Sequence, residues 1–413
     1  MLKLPLPPGY FRCPTLTLAK EDAYRRQAVD TAMDVVHLAQ MDKTPATGWS
    51  VLHNQEDLKI FRGPDVGTSC LCVASMEVVG SLNEAASLFL NDTTEQVKEF
   101  VERIGRDFLD SALLYSLVEP TVTRPLDRTI IQWSALVPPF KSVVLNRDYV
   151  LLECRREFTQ PASGTRGWVR AMRSIELDCC PDLKASHGLQ RAYTLGSGHV
   201  FWESTTRPGY LHAAYVMQAS FGGNVNGKLS NFLKDMAMKR RCRSLLDIDR
   251  FLRENRLSAT PFVSVDQLDP KDSAPKCFQC FKPFGLLHFA KTHCVKCGHV
   301  FCRRCIQLWN VKSHGIRAKI WACTHCGIGD ARSQAAAASS SSSSQGSSIC
   351  SMSQSLRETT GSAKSVSSGT SILSIDMSGL TCDEISHHVR DTRDRLVAGA
   401  ASKADRGPGV ILY

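Results

Sequence analysis

Cys277-Phe-Gln-Cys280, Cys294-Val-Lys-Cys297, Cys302-Arg-Arg-Cys305 and Cys323-Thr-His-Cys326 are four Cys-x-x-Cys pairs within about fifty residues, and they hold eight of the chain's 17 cysteines. Two intervening residues let both thiolates of a pair reach one tetrahedral metal. Two such pairs close a Cys₄ site with no open coordination position. The pattern therefore points to two closed zinc sites, a kind that builds structure and rarely catalyses. A segment this short cannot be held by an apolar core alone. Zinc supplies the difference, with roughly 10–16 kcal/mol available per structural site. A disulfide framework fits less well, because the pairs are regular and no secretory segment precedes them.

The charge of the same stretch is one-sided. From Lys276 to Cys326 there are nine Lys and Arg and no Asp or Glu. Each Zn(Cys)₄ centre would carry a net negative charge, so the zinc-loaded segment keeps a surplus of about +5. The whole chain of 413 residues has a formal net charge of +10, which raises two partners, nucleic acid and an anionic membrane surface. Nucleic-acid modules present a reading helix or stacking aromatics among their basic residues. Neither stands out here, so nucleic acid is the poorer fit.

Bulk composition is that of a soluble protein, with 43% hydrophobic residues. No apolar run reaches the roughly 18 residues of a membrane span. The opening, Met1-Leu-Lys-Leu-Pro-Leu-Pro-Pro-Gly9, is broken by prolines where a signal peptide needs an uninterrupted apolar stretch. The expectation is a cytoplasmic, reducing location.

Residues 20–256 read as one mixed domain after an extension over 1–19. A helix is predicted over Glu21–Met41, followed by Trp49 and strands at Leu58–Phe61 and Cys70–Val79. Ser81-x-x-Glu84 is a capping-box signature for a short helix to Leu90. Asp92-x-x-Glu95 predicts another, with Val97, Phe100, Val101, Ile104 and Phe108 on one face. Strands are predicted over Arg128–Val137, Arg147–Phe158, Gly167–Leu177, His199–Ser204 and Tyr210–Phe221, with alternation that suggests one covered face. A long helix over Val225–Glu254 closes the domain. Its basic run Lys239-Arg-Arg-Cys-Arg243 reads as a solvated face. A linker over 257–275 leads into the finger at 276–330. The Ser-rich tail at 331–413 buries too little apolar surface to fold and is expected to be disordered.

This order of elements, with Trp49 to Phe61 and Asn146-Arg-Asp-Tyr-Val150, resembles the START (steroidogenic-acute-regulatory-related lipid transfer) family. The resemblance implies an α+β helix-grip domain, a curved antiparallel sheet with a long C-terminal helix, and a lipid ligand inside it. No single pocket residue can be nominated from sequence, because the inward face of each strand is not identified.

The four pairs, with their spacing, resemble the FYVE zinc finger. That resemblance implies a cross-brace in which Cys277, Cys280, Cys302 and Cys305 hold one zinc and Cys294, Cys297, Cys323 and Cys326 the other. It also implies recognition of phosphatidylinositol 3-phosphate on endosomal membranes, and so peripheral membrane association. The basic motif of the family is reduced here to Lys291 and His293, Leu268 replaces its Trp, and Trp321-Ala-Cys323 replaces its Arg-Val-Cys. A phosphate monoester favours several converging donors, ideally planar Arg forks. The apolar loop Phe284-Gly-Leu-Leu-His-Phe289 remains, and Leu286 and Leu287 are candidate membrane contacts beside Lys291 and His293. Burying each Leu would contribute about 1.5–3 kcal/mol.

A second ligation satisfies the same residues. Cys297-x-His299-x-x-Cys302-x-x-Cys305 between the outer pairs resembles the RING of a ubiquitin-ligase adaptor, which would leave Cys294 unused. A scaffold that binds only protein is a third reading. No Gly-rich phosphate loop and no Gly-x-Ser-x-Gly elbow occurs, so a non-enzymatic role is expected. The adjacent Cys179 and Cys180 read as ordinary thiols.

Overall fold

The structure, a computed structural model, describes residues 4–7, 9–55, 57–65, 69–90, 100, 107–138, 145–160, 163–220, 228–284, 291–313 and 316–328. The Ser-rich tail lies outside the described residues. The first helix, α1 (Leu18–Gln40), opens on Thr17, whose hydroxyl accepts from the Lys20 N–H, and buries Ala28, Thr31, Ala32, Val35, Val36 and Ala39. Small and β-branched side chains at this spacing let the helix lie close against a sheet.

That sheet is built from β1 (Ser50–Gln55), β2 (Leu58–Arg62), β3 (Ser69–Val79), β4 (Phe108–Val118), β5 (Arg128–Leu136), β6 (Arg147–Thr159), β7 (Arg166–Ser174), β8 (Gln190–Arg191), β9 (Tyr193–Thr194), β10 (Ser197–Glu203) and β11 (Tyr210–Ser220). Its strand order is β1-β2-β3-β11-β10-β7-β6-β5-β4; β9 pairs with β11, and β8 runs parallel to β6 while the main path is antiparallel. Between strands sit α2 (Leu82–Ser87) and α3 (Lys184–His187), and after them come α4 (Lys228–Cys242) and α5 (Ser244–Ala259).

Alternation decides which side each residue faces. Val73, Trp133, Leu152, Val169, Val200 and Val216 pack with α1 on one face. Ala74, Trp168, Phe201, Ala213 and Tyr215 pack on the other with α2 and with Met238, Cys242, Leu245, Ile248, Phe251 and Leu252 of α4 and α5. The central strands are thus covered on both faces, not one, because the apolar stripe of α1 takes the side that alternation alone left for water.

Two other expectations need adjustment. The predicted single closing helix is two, since Arg243 interrupts it: the Leu246 N–H bonds the Arg243 carbonyl, a three-residue spacing that tightens the turn. Phe108, expected on a helix, opens β4. Of that helix's other predicted face residues, Phe100 is described, while Val97, Val101 and Ile104 lie outside the described residues. The capping box is present as read, with the Ser81 N–H donating to Glu84 Oε2 at 2.7 Å and the Glu84 N–H donating to Ser81 Oγ at 3.3 Å.

The finger contains two short hairpins, β12 (Thr292–His293) with β13 (Val300–Phe301) and β14 (Ile306–Ser313) with β15 (Ile316–Cys323), then α6 (Thr324–Ile328). Its core gathers Phe301, Ile306, Trp309, Val311 and Ala322 around the cysteines, and Leu257 of α5 belongs to the same cluster.

Candidate metal centre and buried polar cluster

The eight cysteines come together in two groups. Cys277, Cys280, Cys302 and Cys305 form one, Cys294, Cys297, Cys323 and Cys326 the other, and within each group all four sulfurs lie within 4.8 Å of one another. A tetrahedron with Zn–S bonds of 2.3 Å has edges of about 3.8 Å. The Cys280 and Cys302 sulfurs stand 3.8 Å apart, so the spacing fits that metal. Each group draws its two pairs from stretches that are separated in the chain, which ties the hairpins together.

Backbone N–H groups are aimed at the sulfurs, from Cys302 to Cys277 Sγ at 3.4 Å and from Cys323 to Cys294 Sγ at 3.3 Å. Such donors stabilise thiolate. Burial works to raise the Cys277 thiol, but N–H groups at Cys280, Cys302 and Gln279 outweigh it and bring the pKa to about 7. Hydrogen bonds from Cys297, Cys323 and Cys326 pull Cys294 far below the ordinary thiol range. Closed sets of four cysteine sulfurs at this spacing are suited to structural zinc.

His299, the alternative ligand, is turned elsewhere. Its Nδ1 lies 2.8 Å from Asp269 Oδ2, and its ring stacks on Phe278 at 3.8 Å between centroids. The Asp269 N–H bonds the Gly298 carbonyl. Gly298 is required there: its φ is +80°, and a Cβ would fall 2.6 Å from the Gln267 carbonyl oxygen.

The two described members of the basic motif meet the linker. Lys291 Nζ donates to the Lys271 carbonyl at 2.7 Å, and His293 Nε2 lies 2.6 Å from the Asp269 carbonyl. Leu286 and Leu287 lie outside the described residues. Exposed Phe278, Phe281, Phe262 and Val265 sit on the finger and the segment leading to it. Lys276 lies over Phe281, Lys291 over Phe284 and Lys296 over Phe262, the last at 3.7 Å. Cations on aromatic faces make a surface that is both basic and apolar.

The finger is fastened to α5. Glu254, 2% exposed, accepts from the Asn310 N–H at 3.0 Å and its side-chain amide at 3.1 Å. Arg256 forms a two-pronged pair with Glu84, both contacts at 2.8 Å, and donates through Nη1 to the Ile328 carbonyl at 2.7 Å. Burial raises the Glu84 carboxyl, but the Arg256 and Ser81 bonds outweigh it and hold it below its ordinary value. One arginine thus joins the cap of α2 to the end of the finger.

A second chemically distinctive place lies on the sheet face that α4 and α5 cover, and sequence reading nominated no residue there. Glu153, fully buried, accepts from Arg155 Nε at 2.6 Å, from Arg170 Nη2 at 2.6 Å and from Gln132 Nε2 at 3.0 Å. Burial would raise its pKa, yet the two guanidiniums outweigh that and lower it to about 2. His199, directly opposite Arg170 in register, is 5% exposed and lies against Phe89 and Tyr215. Neither of its ring nitrogens has a hydrogen-bond partner among the described residues. Burial and the nearby Arg170 and Arg241 push its pKa well below the ordinary value, so it is neutral. Its only sequence signal was a histidine and an arginine at inward positions of predicted strands, which needs the register to be read.

No described helix is long and apolar enough to cross a membrane. Solved structures similar to the chain include the following three. Human StAR-related lipid transfer protein 5 matches at 13% identity over 56% of this chain and 99% of its own, with a TM-score of 0.42. Human STARD10 matches at 15% identity over 58% and 84%, TM-score 0.35. The lipid transfer and protein localization domain of human StarD13 matches at 14% over 57% and 97%, TM-score 0.33. No curated protein matches the chain. Residues 267–329 match the family model of the FYVE zinc finger, and with two cysteine tetrads able to hold two zinc ions the chain carries a segment of that type.

Proposed function

We propose that this protein is a non-enzymatic, zinc-stabilised adaptor that binds lipid in two ways, with a finger (276–330) that meets an anionic or phosphoinositide-bearing, endosomal membrane and a START-like domain (20–256) that holds a lipid. The observation that carries the reading is Cys294 in a sulfur tetrad and His299 paired with Asp269 outside it. This supports the cross-brace over a RING, and the eight cysteines are the proposed zinc ligands. Nine cations with no acid between Lys276 and Cys326 supply attraction to a negative surface, about 1 kcal/mol for each one near it. Lys291 and His293 would reach a phosphate by exchanging the carbonyls of Lys271 and Asp269, so general charge and the aromatic surface carry more of the binding than a single headgroup pocket. Leu286 and Leu287 are the proposed insertion residues.

For the sheet domain, the proposed polar end of the lipid site is His199, Arg170 and Glu153. A buried imidazole with both nitrogens unpartnered costs free energy that a ligand's polar group would recover.

Flotation of the zinc-loaded full chain with vesicles tests the membrane half. Binding is expected to vesicles containing phosphatidylserine or phosphatidylinositol 3-phosphate and to be absent with phosphatidylcholine alone. Failure to float with either anionic vesicle would overturn it. Activity in an autoubiquitination assay that is lost on His299→Ala but retained on Cys294→Ala would instead favour the RING.

A further inference from the structure

The stretch before α1 carries a second cysteine chemistry, independent of zinc and of lipid. Leu4, Leu6, Phe11 and Leu16 of this stretch pack on the core of the sheet face that α1 covers. The segment is pinned at several points. The Leu6 N–H bonds Asp110 Oδ2 at 2.6 Å, the Phe11 ring lies 5.3 Å from Trp133, and Tyr10 stands edge-on to His187 at 5.5 Å. Tyr115 donates its hydroxyl to the Pro14 carbonyl at 2.7 Å. These contacts carry Cys13 to Cys179, 166 positions along the chain, until the two sulfurs are 2.8 Å apart.

The far side is equally fixed. Arg191 donates to the carbonyls of Cys180 and Pro181, the latter at 2.9 Å, and pairs with buried Asp148 at 2.9 Å. The Cys180 N–H bonds the Leu177 carbonyl. Cys180 itself is buried among apolar side chains, whereas Cys13 and Cys179 are half-buried. A small reagent can therefore reach the pair but not the neighbour.

We propose that Cys13 and Cys179 are a reversible disulfide site, oxidised by exchange with a low-molecular-weight disulfide of the glutathione class, that fastens the N-terminal segment to the loop after β7. The Cys179 thiolate attacks one sulfur of the reagent, the reagent's S–S bond breaks, and one glutathione leaves and takes up a proton. Cys13 then gives its proton to solvent and attacks the Cys179 sulfur, and the second glutathione leaves as a thiol. The protein loses two thiol hydrogens and gains one S–S bond, while one small disulfide becomes two thiols. Burial, together with the hydrogen bond to Cys179, raises Cys13 to about 11 and keeps it protonated at the start. Capping of Cys179 removes that hydrogen bond and its charge, which frees Cys13 for the second step. Closing so long a loop raises stability by restricting the unfolded chain.

The test incubates the zinc-loaded full chain with oxidised glutathione, alkylates free thiols and maps the peptides without reduction. A Cys13–Cys179 linked peptide is expected, lost on treatment with dithiothreitol, with slower amide exchange over residues 4–17 and a thermal midpoint several degrees higher than in the reduced protein. Cys13→Ser should trap glutathione on Cys179, and Cys179→Ser should leave Cys13 free. Recovery of both residues alkylated in the natural chain, or a Cys179–Cys180 link in place of the expected one, overturns the site. A link that leaves exchange over 4–17 unchanged overturns the fastening.

Discussion

Glu254, near the end of the helix that closes the large sheet, holds Asn310 of the finger by both its backbone and its side-chain amide. The carboxylate is almost fully buried and also takes Arg250 Nε at 3.0 Å. Two parts of the chain that sequence reading separates by a linker are therefore joined by charge-assisted hydrogen bonds away from water.

Removing that carboxylate leaves the Asn310 donors and the Arg250 guanidinium without their acceptor. Glu254→Ala is expected to cost about 2–3 kcal/mol, read as a fall in chemical-denaturation midpoint of the zinc-loaded protein. Arg250→Ala, whose side chain is largely exposed, is expected to cost under about 1 kcal/mol. Equal losses in the two variants would contradict this account of the junction.

Metal content separates the two ligation schemes. Cys294→Ser is expected to lower the zinc count from two ions to one and to loosen the finger, since about 10–16 kcal/mol of folding free energy rests on each site. His299→Ala should keep both ions and lose only the Asp269 contact. Elemental analysis of the purified variants reads the result directly, and a zinc loss confined to His299→Ala would reverse the assignment.

Stability should fall as the solution is acidified, in a window that His199 sets. Folding lowers its pKa well below 6.5, through burial first and then the charges of Arg170 on β7 and Arg241 on α4, against the attraction of Glu153 on β6. The unfolded chain therefore takes up a proton below 6.5 that the folded chain refuses. The histidine's contribution is intact above that pH and is lost below it, at up to about 1.4 kcal/mol per pH unit. Glu153 acts in a lower window, with stability present above its ordinary 4.5 and lost as pH falls towards about 2. Urea titrations from pH 7 to 5 should show the slope flattened by His199→Phe; an unchanged slope would remove His199 as its cause.

Gly198 and Gly196 should respond differently to the same methyl group. A Cβ at Gly198 would stand 2.1 Å from the Arg170 carbonyl oxygen, which is backbone of the neighbouring strand, whereas at Gly196 the nearest atom is 3.7 Å away. Gly198→Ala is expected to cost about 3 kcal/mol or more and to disturb the register that puts His199 opposite Arg170. Gly196→Ala should be near neutral. A thermal melt of each variant decides the matter.

The parts of this protein legible in its sequence are those governed by neighbours along the chain. A turn of two residues lets both thiolates of a pair reach one metal, so the eight cysteines could be named without coordinates. Ser81 and Glu84 cap a helix because they are three apart, and the strand read over Arg147–Phe158 from local pattern is found at Arg147–Thr159. The resemblance carried by the four pairs already implied which distant pairs share a tetrad, and the structure brings those sulfurs together. Tertiary structure alone decided that Glu84 also holds Arg256, that α1 covers the second sheet face, and that Arg170 faces His199 on the neighbouring strand. It also brought Cys13 to Cys179. The physical reason is the same in each case. Local geometry is set by a few dihedral angles, whereas these contacts depend on the register and packing of elements far apart in sequence, and many pairings satisfy the same local pattern.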